Sequence, residues 1–293
     1  MEYLVQQLVN GTGVGAQYAL WCVGYGMVYQ VLGLMHFAHG DTLVFSAFTG
    51  VTFMVLGAPF WVAMALAVMV AVVLAISIER FIYRPLISRE LVFMAFVAAM
   101  AAGFVIRNLA QIGWGVQPRG FDEGILPSGS WDVAGVRIGY LPVLNLVVAI
   151  VVVVAFERFL HHSRHGQAIL AVSQDRSTAE LMGINVNRVI ALVYGLSATI
   201  GMTGLLLYIA NFRTLTIGLG FAITLKAFIA AIIGGIGSIR AALLGGMVLG
   251  ITESMVSAYL SSTLMDATVF GLLVVFILVR PNGILGHRAQ VKL

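Results

Sequence analysis

Charge is what this sequence has little of. Only 10% of its 293 residues are charged and 60% are apolar, against roughly 25% charged in an ordinary soluble domain. Mean hydropathy is +1.02. A chain so composed cannot cover a water-facing surface, and it reads as a polytopic membrane protein. Cysteine is almost absent: Cys22 stands alone, which excludes an internal disulfide and a cysteine-based metal cluster. Lysine occurs twice, as Lys226 after Leu225 and Lys292 after Val291. A P-loop needs Gly-Lys-Ser/Thr so that its lysine reaches the outer phosphates, so the chain is not itself a Walker-type ATPase. HExxH and GxSxG are missing too, which removes the usual membrane metalloprotease and serine hydrolase signatures. The net charge of +4 is what membrane loops need for orientation and does not imply nucleic acid as a partner. The start, "MEYLVQQLVNG", has no positive n-region and does not read as a cleaved signal.

What is present is a series of apolar segments. A helix crossing the hydrocarbon core needs about 20 apolar residues. Spans are expected near 14–35, 42–57, 60–80, 91–113, 141–160, 188–210, 220–237, 241–259 and 265–281. The fold class is an all-α membrane bundle of eight to nine spans in one transmembrane domain, 1–293, with 42–57 and 220–237 short enough to be re-entrant. Arg80, Arg84 and Arg89 mark one cytoplasmic loop, and Arg158, Arg164 and Arg176 with three histidines mark a second, 161–187. The tail, with Arg280, Arg288 and Lys292, agrees. The loop 114–140 carries Trp114, Trp131, Asp122, Glu123 and Asp132 and is placed outside, as a docking surface or a set of interfacial anchors. Nine full spans put the amino end outside; one re-entrant segment reverses it. Residues 14–86 and 188–285 each hold spans, a glycine or polar break and an arginine-proline ending, "RFIYRPL" and "VRPNGIL", which reads as an internal repeat of parallel sense.

Polar residues inside apolar stretches are candidates for function. "HFAHGD" holds His36, His39, Gly40 and Asp41 between two spans. It fits a helix break beside a path with Asp41 capping the next helix, a proton relay, or a two-histidine metal site lacking its third ligand. Glu253 follows Ala242, Gly246 and Gly250 on a small-residue face and is expected to point into the bundle; Gly11, Gly15 and Ala19 form a second such stripe. Glu79, Arg80 and Arg107 lie near span ends, where snorkelling would explain them.

In "SRHGQAILAVSQDRSTAELMGINVNRV", Ala168, Ala171, Asp175 and Ala179 fall on one helical face, Gly166 lies near the start, Gly183 ends the helix, and Asn187 caps the next span. Such a helix suits another protein's groove or packs on its own bundle.

Taken in order, "LMHFAHGD", "IERFIYRPL", "GQAILAVSQDRSTAELMGINVNRVIAL", "AAIIGGIGSIRAALLGGMVLGITES" and "RPNGILG" resemble the branched-chain amino-acid permease family of ABC importers. The resemblance runs from about residue 10 to the end. It implies an inner-membrane, multi-pass permease subunit with no cofactor, a homologous second permease, two cytoplasmic ATPases and an extracytoplasmic binding protein. It also implies that Gly166 to Gly183 is the coupling helix. Where relatives commonly read asparagine before "FAHG", this chain has His36. The alternatives are a proton-coupled transporter using His36, His39, Asp41 and Glu253, and an intramembrane metal enzyme on the two histidines.

Overall fold

A computed structural model describes residues 2–89, 91–121, 129–133, 136–235 and 237–285. In chain order the helices are α1 (Glu2–Leu32), α2 (His39–Val55), α3 (Phe60–Ile78), a π-helical turn (Glu79–Tyr83) running into α4 (Arg84–Ile87), α5 (Val92–Trp114), α6 (Tyr140–His162), α7 (Arg164–Gln174), α8 (Arg176–Leu181), α9 (Val186–Phe212), α10 (Leu219–Gly234), α11 (Ile239–Tyr259) and α12 (Met265–Val279). Among the described residues four short strands join them in two antiparallel pairs. β1 (Arg119–Gly120) pairs with β4 (Thr214–Leu215), and β2 (Ser130–Val133) with β3 (Val136–Gly139). Among the described residues six helices are long and apolar enough to cross a membrane. Helices α2 and α10 are shorter, with 17 and 16 residues.

The first helix begins at Glu2, twelve residues before the expected span. Gln6, Gln7, Asn10 and Thr12 thin out its apolar content, yet α11 supports the extension. The two small-residue stripes meet: Gly11 lies against Ile251 and Gly250, Gly15 against Met247, and Gly246 against Ala19. Lipid supplies no hydrophobic drive between helices, so close backbone approach of this kind is what holds such a bundle together.

The repeat is real, and its sense is the opposite of the expected one. Gly24 and Gly204, Gly40 and Gly220, and Gly57 and Gly237 each stand 180 residues apart. Helix α1 breaks after Leu32 and α9 after Phe212, at the same spacing. The two lead helices run antiparallel, because the Ser197 hydroxyl donates to the Gly24 carbonyl at 2.6 Å while the Gln17 amide donates to the Leu207 carbonyl at 3.2 Å. A methyl group at Gly24 would meet the Ser197 carbonyl at 2.8 Å, and one at Gly204 would meet the Gln17 carbonyl at 3.1 Å. Residue numbers are conjugate across this crossing, which is the mark of an inverted pseudo-two-fold. Gly57 and Gly237 adopt φ of 92° and 97° in the equivalent turns after α2 and α10, a conformation that glycine reaches without steric cost. The ending "RPNGIL" serves a different purpose from "RFIYRPL". Ile284 and Leu285 donate backbone bonds to the Ile233 and Gly234 carbonyls and so close the open end of α10.

Candidate functional site

The break between α1 and α2 lies on the pseudo-two-fold. A methyl group at Gly40 would fall on the Gly220 carbonyl, and one at Gly220 would meet the Asp41 carboxylate and backbone. The two short helices therefore start against each other with no space for side chains. The Gly40 amide donates to Thr224 Oγ1 at 2.9 Å, which satisfies one of the N–H groups a helix start leaves open. Helix α2 starts at His39 after Ala38 and has no side-chain cap. Asp41 is thus not the cap expected of it. It sits in the first turn and accepts a bidentate pair from Arg107, both bonds 3.0 Å, so Arg107 is no simple anchor. The guanidinium also lies 5.5 and 5.4 Å from the Phe104 and Phe221 ring centroids.

His36 and His39 are both buried. His36 Nδ1 is 2.9 Å from the Tyr83 hydroxyl, and its ring stands 5.8 Å from that of His39 and 5.2 Å from that of Tyr194. Among the described residues no group of three His, Cys, Asp or Glu side chains converges to hold a metal. The histidines belong to an aromatic cluster with Tyr83 and Tyr194, and Glu79, one helical turn before Tyr83, is buried and takes two bonds from Arg84 at 2.9 and 2.8 Å instead of snorkelling. Arg80 is exposed.

Glu253 points into the bundle and is 1% exposed. Lys226 Nζ is 2.7 Å from its carboxylate and donates to the Tyr18 hydroxyl at 2.9 Å, while that hydroxyl donates to the other carboxylate oxygen. Thr224 and Lys226 are two residues apart on α10 and so face opposite sides. That helix separates the Glu253 cluster from the group His36, His39, Gly40 and Asp41. The residues of the proton-relay alternative are thereby split into two places, with both carboxylates occupied by separate cations.

The connection 163–187 is two helices, not the single one expected. Asp175 has φ −157° and ψ 113° and accepts from the Ser177 and Thr178 amides at 2.9 and 3.1 Å, so it is the N-cap of α8. The Ser177 hydroxyl, which donates to the same carboxylate at 2.7 Å, and with it these amides hold its carboxyl down to about 2. Ser163 caps α7 through the Gly166 amide at 2.9 Å, and Gly166 lies so close to Leu160 that a side chain would not fit. Asn185, not Asn187, caps α9. Ala179 is buried and Ala168 and Ala171 are half-buried against the chain's own bundle. What projects is the pair before Gly183: Leu181 is 87% and Met182 79% exposed. Arg176 fastens α8 to the end of α1 through two bonds to the Val31 carbonyl, at 3.1 and 2.6 Å.

The loop after α5 is anchored by Trp114, whose indole donates to Thr52 Oγ1 at 2.7 Å, whereas Trp131 is half exposed and packs on Tyr140 at 4.3 Å. Asp122 and Glu123 lie outside the described residues. Arg107, Lys226, Tyr18, Leu181 and Met182 were not read from sequence as site residues. An arginine and a lysine inside apolar runs are the signal that should have been matched to Asp41 and Glu253.

Comparison with known proteins agrees with this architecture. The family model described as "Branched-chain amino acid transport system / permease component" matches residues 7–278. The chain is similar to the high-affinity branched-chain amino acid transport system permease proteins LivH of Escherichia coli (strain K12) and BraD of Pseudomonas aeruginosa. Each is 34% identical, over 97% of this chain and 96% of the relative. Its fold is also that of a chain in the structure of PsaBC from Streptococcus pneumoniae in complex with Fab, at TM-score 0.52 and 14% identity, covering 96% of this chain and 93% of that one. With two breaks meeting on an inverted two-fold and a family match over nearly its whole length, this chain belongs to the permease-component family of branched-chain amino-acid transport systems.

Proposed function

We propose that this chain is one of two homologous transmembrane subunits of an inner-membrane ABC importer for branched-chain amino acids or related small amides and carboxylates. In that reading residues 1–293 act as one permease domain. An extracytoplasmic binding protein delivers solute, and two cytoplasmic ATPases drive the cycle. Nine apolar helices among the described residues make the bundle, with α2 and α10 as short segments meeting at the break, and the path is bordered by His36, His39, Gly40 and Asp41 on one side of α10 and by Glu253 on the other. Helices α7 and α8, Gly166 to Gly183, carry the motion of the ATPases into the bundle.

The observation that carries the reading is the shape of 163–187. Its alanines and Gly166 fix it to the chain's own helices, while Leu181 and Met182 stand out with none of the described residues over them. Two large apolar side chains at the tip of an arginine-rich loop, on the water side, suit a pocket in a partner protein. Arg176 then links that tip to the end of α1, directly before the break. A partner that moves α8 therefore pulls on the start of "HFAHGD", and the coupling is a difference in contacts between two states of the bundle.

The test is affinity purification from solubilised membranes of the natural chain and of a Leu181→Arg, Met182→Arg variant. Both substitutions lie on exposed side chains and leave the packed alanines untouched. ATPases and a second permease are expected with the natural chain, and ATPase recovery from the variant should fall about tenfold or more. Equal recovery of ATPases from both overturns the assignment of α8 as the docking tip. A natural chain that purifies alone and transports with the proton gradient overturns the importer reading.

A further inference from the structure

At the end of the bundle opposite α7 and α8, a cavity of about 340 Å³ opens between α1, α11 and the start of α12, a size in the range of small-ligand sites, ~300–1,000 Å³. Along α1 it is bordered by Tyr3, Gln7, Val14 and Tyr18. At 1.5 Å per residue, Tyr3 and Tyr18 stand about 22 Å apart along the helix. Its inner end is Tyr18 and Glu253, and Ser254 and Ser257 line the wall above. Lys226, 17% exposed along its side chain, stands behind this floor in contact with both Tyr18 and Glu253.

Two features separate this floor from ordinary packing. The pseudo-two-fold repeats the glycines of the fold but not these residues: at the spacing of 180, Tyr18 corresponds to Ala198, Lys226 to Ser46 and Glu253 to Val73. The other half is built without the ions, so the architecture does not demand them. Intramembrane charges are costly, and a buried ion pair is commonly replaceable by apolar side chains without loss of stability. A charged pair kept at the inner end of an open cavity answers to something that enters the cavity.

We infer that Lys226, Glu253 and Tyr18 form a reading station for a zwitterionic α-amino acid, an inference that rests on the importer assignment above. Glu253 receives the ammonium, Lys226 the carboxylate, and Tyr18, which donates to one ion and accepts from the other, holds the two apart when the pair opens. The apolar side chain of the solute lies along Val14. An ion pair and a zwitterion together make four alternating charges, so none is left bare. A carboxylate or an amine alone leaves one protein charge unpaired in a low-dielectric site and is disfavoured, which narrows the solutes named above to amino acids. With the solute's α-carbon and side chain placed, exchanging the two charge positions is a mirror inversion, so the arrangement also reads handedness.

The test uses the whole importer with its binding protein in sealed vesicles, and L-leucine as probe. The variant carries Lys226→Glu and Glu253→Lys together, which preserves the pair but reverses its polarity. Assembly and thermal midpoint report folding, and ATP-driven uptake reports function. The reversed pair should assemble and lose L-leucine uptake about tenfold or more, the size of a lost charged contact. Uptake within about twofold of the natural complex makes the pair a strut and overturns the inference. If the reversed pair does not assemble, the neutral pair Lys226→Met, Glu253→Gln takes its place, with loss of uptake again expected and retained uptake again contrary. Failure of both to assemble also overturns the inference, since the charges are then required by the fold. Absence of ATP-driven uptake in the natural complex overturns the importer assignment instead.

Discussion

The two inverted halves share a backbone path and differ in where they keep their charges. Helices α1 to α3 and α9 to α11 break, turn and cross at matched positions, and the matched residues are glycines: Gly24 with Gly204, Gly40 with Gly220, Gly57 with Gly237. The ions are not matched. Asp41 in the first half faces its counterpart's region with Phe221 in the equivalent place, and the Lys226–Glu253 pair of the second half corresponds to Ser46 and Val73. What recurs in both halves is therefore what the architecture needs, and what occurs once is free to serve transport.

The largest expected effect comes from breaking the shared part. Gly40→Ala and Gly220→Ala each place a methyl group on backbone of the opposite half, and each should destabilise the solubilised chain by about 3 kcal/mol or more, the upper end of overpacking costs. The two losses should be alike because the positions are equivalent. Thermal unfolding of both variants checks this, and a large loss in one with none in the other would break the symmetry argument.

A comparable effect sharpens the unshared part. Arg107→Leu leaves the Asp41 carboxylate buried without its cation and should cost roughly 3 kcal/mol, whereas adding Asp41→Asn, which removes the charge at nearly equal volume, should restore most of that. Denaturation of the single and double variants distinguishes the outcomes, and a double variant as unstable as the single one would mean that the bare charge is not the source of the loss.

Much of this was legible from residue order. Apolar length located the helices from α2 onward to within a few residues, because a membrane leaves backbone no other option. The break at "HFAHGD" was visible because histidine, glycine and aspartate interrupt an apolar run. The sense of the repeat was not legible from its endings, since "RFIYRPL" and "VRPNGIL" look alike but play different parts, and apolar length carries no direction. The glycine spacing did hold the answer, and it becomes interpretable only once Gly24 is seen against Ser197 and Gly204 against Gln17. Asp175 lay on the alanine face by periodicity, but Asp followed by Arg-Ser-Thr is also a cap and helix start, and the cap prevailed. That local choice breaks the helix and turns the alanines inward. It leaves Leu181 and Met182 as the projecting pair, a feature that depends on the break and is hidden from a smooth helical wheel.

The most direct test of the central claim is uptake of L-leucine by vesicles holding this chain with its partner permease, two ATPases and binding protein, with ATP supplied on the side of residues 163–187. The account predicts uptake that requires ATP on that side, ceases without the ATPases and is indifferent to collapse of the proton gradient. Uptake by this chain alone that follows the proton gradient would contradict it.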